Sequence, residues 1–224
     1  MQLIPKLEIK SLANIVNFLH EQRVGRVASI DEQGFPQIIP MNFVYVNNGL
    51  IDTMTDNKNI GAIYMHSHPF GEKIENIKRN SKVGFEVDFY ICFLPSYYFH
   101  ATDASQADTL YISIVIKGNA SIVQDTYEKA NALNALMKKY QKEGGYEPLS
   151  PNMDSVREVT VLKVVPEQIR GKYKIGQHWT QTYRLKMARN IIQRETEDAR
   201  RILKIMGIEI MNNGELKVLK EPIM

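Results

Sequence analysis

Two runs rich in β-branched and apolar residues, VGRVASID (24–31) and PQIIPMNFVYV (36–46), are separated by only the four residues EQGF. So short a connection holds no crossover, and the two runs must pair antiparallel about a turn at Gly34. A doubly wound parallel sheet is thereby disfavoured as the plan of the fold. Further strands are expected at IGAIYMHS (60–67), KVGFEVDFYICFL (82–94), TLYISIVIKGNASIV (109–123) and SVREVTVLKVVP (155–166). Gly118 marks a bulge or bend in the third of these. The resulting fold class is mainly β, a small β-barrel decorated by helices.

The helices follow from spacing. Leu12, Ile15, Val16 and Leu19 line one face of residues 11–22, with Ser11 as a cap. GEKIENIKRN (71–80) is a short helix, and Asp125-Thr126-Tyr127-Glu128 is a capping box. It opens a helix carrying Leu133, Leu136, Met137 and Tyr140. Residues 182–207 read as one long helix ending at Gly207, followed by a terminal hairpin with an Asn-Gly turn over 208–219. The expected organisation is a domain over 1–170 and a C-terminal extension over 171–224, packed on that domain or on a partner subunit.

The charge balance, 28 basic against 25 acidic residues for a net +3, is too mild to argue for nucleic acid. The long helix holds seven basic and three acidic residues spread around it, which suits a solvated face with i, i+4 pairs. Cys92 is the only cysteine, which removes internal disulfides and cysteine-based metal clusters. MQLIPKLEIK carries Lys6, Glu8 and Lys10 and offers no secretory core. No window approaches the roughly 18 uninterrupted apolar residues of a membrane span. The expectation is a cytoplasmic chain.

The stretch IYMHSHPFGEK (63–73) admits two chemistries. Its HSHP spelling occurs in the JAMM metalloproteases, which need a serine eight residues and an aspartate eleven residues past the second histidine. Asn76 and Arg79 stand there, and an arginine cannot replace a carboxylate ligand. His66 and His68 alone make an incomplete zinc site, with His100 or Cys92 the remaining candidates to complete it, so no metal is expected. The other chemistry is phosphate binding. A strand ends at His66-Ser67, the chain turns through Pro69-Phe70-Gly71, and a helix begins with Lys73 in its first turn. Backbone amides at a helix start attract phosphate, and Ser67, Lys73 and His66 add a hydroxyl and positive charge. Lys73 reads equally as a solvated helix lysine.

The segment from Val24 to Asp88 resembles the flavin-binding proteins related to pyridoxamine 5'-phosphate oxidase, and within them the nitroimidazole-resistance flavoproteins. The residues that carry the likeness are Gly25-Arg26, the Gly34-x-Pro36 turn, Pro40-Met41-Asn42-Phe43, Ile63-Tyr64-x-His66-Ser67-x-x-x-Gly71-x-Lys73, and Asn80-x-x-Val83-x-Phe85-x-Val87. The likeness continues to about residue 165. It departs at residues 49–60 and 93–107, which are longer than the pattern, at His68, where a small residue is usual, and over 171–224.

The resemblance implies a split β-barrel that forms a homodimer, with FMN at the interface. Carried over by position, Pro40, Met41, Asn42 and Phe43 line the flavin ring, with backbone groups of Met41 and Phe43 and the amide of Asn42 at its polar edge. His66, Ser67, Gly71 and Lys73 hold the phosphate, and Ser113 reaches the cofactor. His66 is the one catalytic candidate. The function implied is an FMN-dependent oxidoreductase acting on a small electron acceptor, in the manner of a nitroimidazole reductase or of pyridoxamine phosphate oxidase. The alternative is a flavin- or haem-binding protein of the same fold without turnover.

Overall fold

The structure, a computed structural model, describes residues 4–47, 61–195 and 198–219. The expected insertion 49–60 and the turn at Asn48-Gly49 lie outside them. Helix α1 (Leu12–Glu21) leads into strands β1 (Val24–Ile30) and β2 (Pro36–Asn42), paired antiparallel from Val24↔Asn42 to Ile30↔Pro36. The Asp31 carboxylate accepts from the Phe35 amide at 2.8 Å, which lets the chain reverse at Gly34, whose φ is 88°. β3 (Val44–Val46) and β4 (Ala62–Ser67) follow, then α2 (Glu72–Arg79), β5 (Lys82–Leu94), β6 (Asp108–Ile122) and α3 (Thr126–Tyr140). The remaining elements are α4 (Asp154–Glu158), β7 (Thr160–Lys174), α5 (Gln181–Arg194), α6 (Ala199–Ile205) and the hairpin of β8 (Ile208–Ile210) and β9 (Leu216–Val218). Among the described residues no helix is long and apolar enough to cross a membrane.

Seven strands form one sheet in the order β2-β1-β5-β6-β7-β4-β3. Its two ends, β2 and β3, are separated in the chain by Phe43 alone. The sheet must therefore curl until its ends meet, because one residue spans no more than about 3.6 Å. The single strand expected over 36–46 is thus two strands. At Phe43 the chain leaves its partner β1 and takes up β4, starting at Val44↔Tyr64.

Two further expectations change. Residues 155–166 are not one strand: α4 occupies Asp154–Glu158, and β7 runs on through Pro166 to Lys174. Pro166 is tolerated because the pairing with β4 has already ended at Ile63↔Val164. The long helix is likewise two, since α5 ends at a Glu195 cap (φ −99°, ψ 67°) and α6 starts afresh after Asp198. Gly118 sits inside β6 where a Cβ would lie 2.4 Å from the Val165 carbonyl oxygen, so close strand approach, not a bend, explains the glycine.

The chain resolves into two compact units. One comprises Ile15–Val87 and Ile114–Ile169. Its core holds Leu19, Phe43, Tyr45, Ile63, Met65, Ile74, Phe85, Ile114 and Leu162, with Phe43 edge-on to Phe85 at 5.1 Å. α3 lays Ala132 and Leu136 on Val44, Ala62, Tyr64 and Val161. The other unit comprises Met1–Asn14, Asp88–Ser113 and Arg170–Met224 and buries Leu7, Ile9, Leu94, Leu110, Met187, Ile191 and Leu203. The buried alternation of β5 shifts phase from Val83, Phe85 and Val87 to Cys92 and Leu94, leaving Tyr90 and Phe93 exposed.

Candidate functional site

Four buried residues, Ala62–Met65, bring β4 out of the core, after which His66 is exposed and Ser67 is buried. The Ser67 hydroxyl donates to the His68 carbonyl at 3.0 Å, and the Phe70 amide donates to His68 Nδ1 at 3.3 Å. These two bonds close the turn. Gly71 then takes φ 134°, ψ 162°, a conformation that side chains rarely adopt, and nothing lies within 4 Å of where a Cβ would be. α2 starts with no side-chain cap: the Ile74 and Glu75 amides donate to the Gly71 carbonyl. Among the described residues the Glu72 and Lys73 amides have no acceptor, which is the anion-accepting state of a helix start. Lys73 is half-buried, and desolvation pulls its ammonium below the usual lysine range. Glu72 and Glu75 also occupy this first turn, the latter paired with Lys78 at 2.9 Å.

α2 is bolted to the β1–β2 hairpin by the two residues that stand where a JAMM site needs its serine and aspartate. Asn76, 2% exposed, donates to Ser29 Oγ and Gln37 Oε1, both at 3.3 Å. Arg79 donates to Asn76 Oδ1 at 2.7 Å and to the Ile30 carbonyl at 3.0 Å. Among the described residues no three His, Cys, Asp or Glu side chains gather to hold a metal. Cys92 is buried and its thiol is pushed up to about 12, chiefly by desolvation, and His100 Nδ1 accepts from the Asp103 amide at 3.1 Å; both lie in the other unit.

β2 is an end strand of the sheet with no fully buried residue, and it passes alongside β4 within 8 Å, Cα to Cα. Pro40 and Asn42 are exposed and Met41 is half-buried, so this strand's free backbone edge and side chains are open to a ligand next to the strand of His66 and Ser67. Phe43 is different. Its side chain is wholly buried, its amide donates to the Tyr140 hydroxyl at 2.9 Å, and its carbonyl accepts from Tyr140 at 2.9 Å and Lys139 at 3.0 Å. Its backbone is committed to the corner, not to a ligand. Ser113 is half-buried on β6 and is the last residue of its segment of the other compact unit.

Neither Lys139 nor Tyr140 is among the sequence-based site candidates, where Tyr140 enters only as part of the apolar stripe of α3. Lys139 Nζ also donates to the Leu19 carbonyl at 3.1 Å, capping the end of α1, and lies 3.8 Å from the Phe43 ring centroid. Tyr140 donates as well to the Arg23 carbonyl. The capping box marks where α3 begins, but nothing local marks that its last turn holds the corner of the sheet.

A family model described as pyridoxamine 5'-phosphate oxidase matches residues 11–173. Among solved structures the chain is 27% identical to a candidate 5-nitroimidazole antibiotic resistance protein from Bacteroides thetaiotaomicron, covering 74% of this chain and 86% of that one with a TM-score of 0.58. It shares its fold with the flavocytochrome Anf3 from Azotobacter vinelandii (14% identity, 75% and 69% coverage, TM-score 0.57). It shares it too with the FAD and haem binding protein from Mycobacterium smegmatis (12% identity, 75% and 73% coverage, TM-score 0.59). The fold is therefore mainly β, a split barrel with helices. A comparison with curated proteins finds no match.

Proposed function

Because the chain belongs to the pyridoxamine 5'-phosphate oxidase family, we propose that it is an FMN-binding oxidoreductase that acts on a small-molecule electron acceptor. The observation that carries this reading is the uncapped start of α2, with two amides lacking acceptors, a glycine that leaves room above them, and a half-buried Lys73 beside them. That donor set suits one phosphate. The exposed β2 edge beside it suits a flat, largely apolar ring with a hydrogen-bonding rim.

In this reading the Glu72 and Lys73 amides and the Lys73 ammonium hold the phosphate, and Ser67 keeps the turn closed by its bond to His68. Pro40, Met41 and Asn42 orient the ring. Phe43 keeps the strand in place from below, through Tyr140 and Lys139, without touching the cofactor. His66, exposed at the end of β4, is the side chain able to hold or move a proton there. The flavin, when bound, supplies the electron transfer. A second copy of the chain is the proposed partner, with the flavin at the shared interface.

Flavin titration tests the cradle. Lys73→Ala removes a charge-assisted contact of about 1.5–3 kcal/mol, so FMN affinity should fall by about ten- to hundredfold. His68→Ala should change it little, because that ring only braces the turn. Unchanged affinity in Lys73→Ala defeats the proposal. Mass spectrometry of the heat-released cofactor separates FMN from FAD, since one phosphate cradle accounts for FMN alone.

A binding protein without turnover is a second reading, favoured by one observation. His66 is the only proton-moving candidate in the site, and no hydrogen-bond partner fixes it among the described residues. Flavin bands that do not bleach with any electron donor, or a Soret band, would support that reading.

A further inference from the structure

The compact unit built from the chain's two ends and Asp88–Ser113 contains a second concentration of positive charge, centred on the turn before α5. Arg184 is 7% exposed. Its Nε donates to the Gly176 carbonyl and its Nη2 to the Gln177 carbonyl, both at 3.0 Å. Both acceptors are neutral, and no carboxylate faces the guanidinium among the described residues. Among the described residues Nη1 has no partner, and since no fully buried polar side-chain atom there lacks one, Nη1 is where the group reaches solvent. A buried cation without a counter-charge is costly unless an anion meets it.

The surroundings add to the charge. The guanidinium folds back over the start of α5, the positive end of that helix, where Thr180 caps the Tyr183 amide at 3.3 Å. His178, next to it, feels Lys6, Lys174 and Arg184 as cations and Asp108 as the one acid. Asp108 is already paired with Lys174. Lys6 is exposed, and among the described residues no ion pair involves it. Trp179 packs against Gly176 and meets His178 at 5.8 Å and Tyr183 at 5.4 Å, giving the turn an aromatic wall.

We propose that this turn is a binding site for a small oxyanion, a carboxylate or phosphate group, taken by the open Nη1 of Arg184 with Lys6 and His178 at its rim. A planar guanidinium pairs with either anion through parallel N–H bonds. The site is built from other residues than the proposed flavin cradle and does not rest on the flavin reading.

Trp179 is the only tryptophan in the chain, so its emission reports on this turn alone. The experiment titrates the full-length protein as purified with inorganic phosphate and, separately, with benzoate, at constant ionic strength made up with chloride. Saturable change in Trp179 emission with phosphate or with benzoate is expected, and which of the two saturates at lower concentration assigns the anion. Arg184→Gln should weaken it by about ten- to hundredfold. Should that variant unfold, Lys6→Gln, an exposed change, should still weaken it by about two- to fivefold, with unaltered thermal unfolding. Lys73→Ala should leave it unchanged. A linear response equal for both anions and chloride, or saturation indifferent to Lys6→Gln and Arg184→Gln, overturns the proposal.

Discussion

The Tyr140 hydroxyl bonds both backbone groups of Phe43, so the loss of one oxygen atom leaves an amide unsatisfied at the corner of the sheet. Tyr140→Phe should lower stability by about 1–3 kcal/mol, read as a lower urea midpoint with an unchanged slope. Lys139 beside it gives a pH dependence. Burial pulls its ammonium down to about 8 from an unfolded value of 10.5. Between those two pH values the unfolded chain binds more protons than the native one, so stability contributed here rises with pH across the window and is least below it. Urea unfolding at intervals from pH 8 to 10 should show that rise in the wild type and a flatter profile in Lys139→Met. Neither residue was legible beforehand: each works on a strand about 96 residues away along the chain. The exposed strand of Pro40, Met41 and Asn42 and the glycine-led helix start of Gly71 and Lys73, by contrast, follow from short-range chemistry and were readable as local structure; their role toward a flavin is a proposal. Phe43 shares its strand pattern with Met41 but lies at the joint, where its backbone already has partners that no local signal announces.

At the scale of elements, local period and capping account for most of what was expected. α1, α2, β5 and β6 fall within a residue or two of the anticipated bounds, and Asp125 caps α3 through the Glu128 amide at 2.9 Å. Asp125→Ala should therefore destabilise by about 1 kcal/mol, measurable as a thermal shift. The failures have tertiary causes. SVREVTVLKVVP alternates like a strand, yet Lys129 on α3 donates to the Arg157 and Val159 carbonyls at 3.1 and 3.0 Å and so satisfies the end of α4 from another element. The break between α5 and α6 carries no glycine or proline to announce it; Arg194 ties that end to the Phe93 carbonyl at 3.1 Å. α2 owes its position to Asn76, and Asn76→Ala removes bonds to Ser29, Gln37 and Arg79 together. FMN affinity in that variant should drop alongside stability, because the helix start moves with the helix. Isothermal titration at a temperature well below its unfolding midpoint checks this.

For the whole molecule, the exposed end strand is the feature with consequences. Ile38 is 58% exposed on β2 and Phe35, in the adjoining turn, 68%, and an open strand edge with apolar side chains invites a covering surface. A homodimer is the expectation, with sedimentation at twice 25.7 kDa. Ile38→Glu should weaken association by about tenfold or more, the equivalent of burying one aliphatic side chain. A flavin-loaded monomer would contradict both the dimer and the shared site. The division of the chain into a domain and a trailing extension was a natural reading of sequence order, and residues 171–174 continue β7 past it. Linear order does not record that β5, β6 and β7 each belong partly to one unit and partly to the other.

That interleaving has a bearing on synthesis. All segments of the unit that contains α2, Ile15–Val87 and Ile114–Ile169, leave the ribosome before Arg170–Met224 does, so its barrel can close while translation continues. The other unit cannot: its first segment, with Leu7 and Ile9, must wait for the last, where the Gly171 carbonyl accepts a hydrogen bond from the Ile9 amide at 2.9 Å. Between the emergence of Ile169 and that of the last segment, the nascent chain therefore carries a barrel able to close and an apolar leading segment whose partners are still to come, and that interval is when a holdase has its substrate.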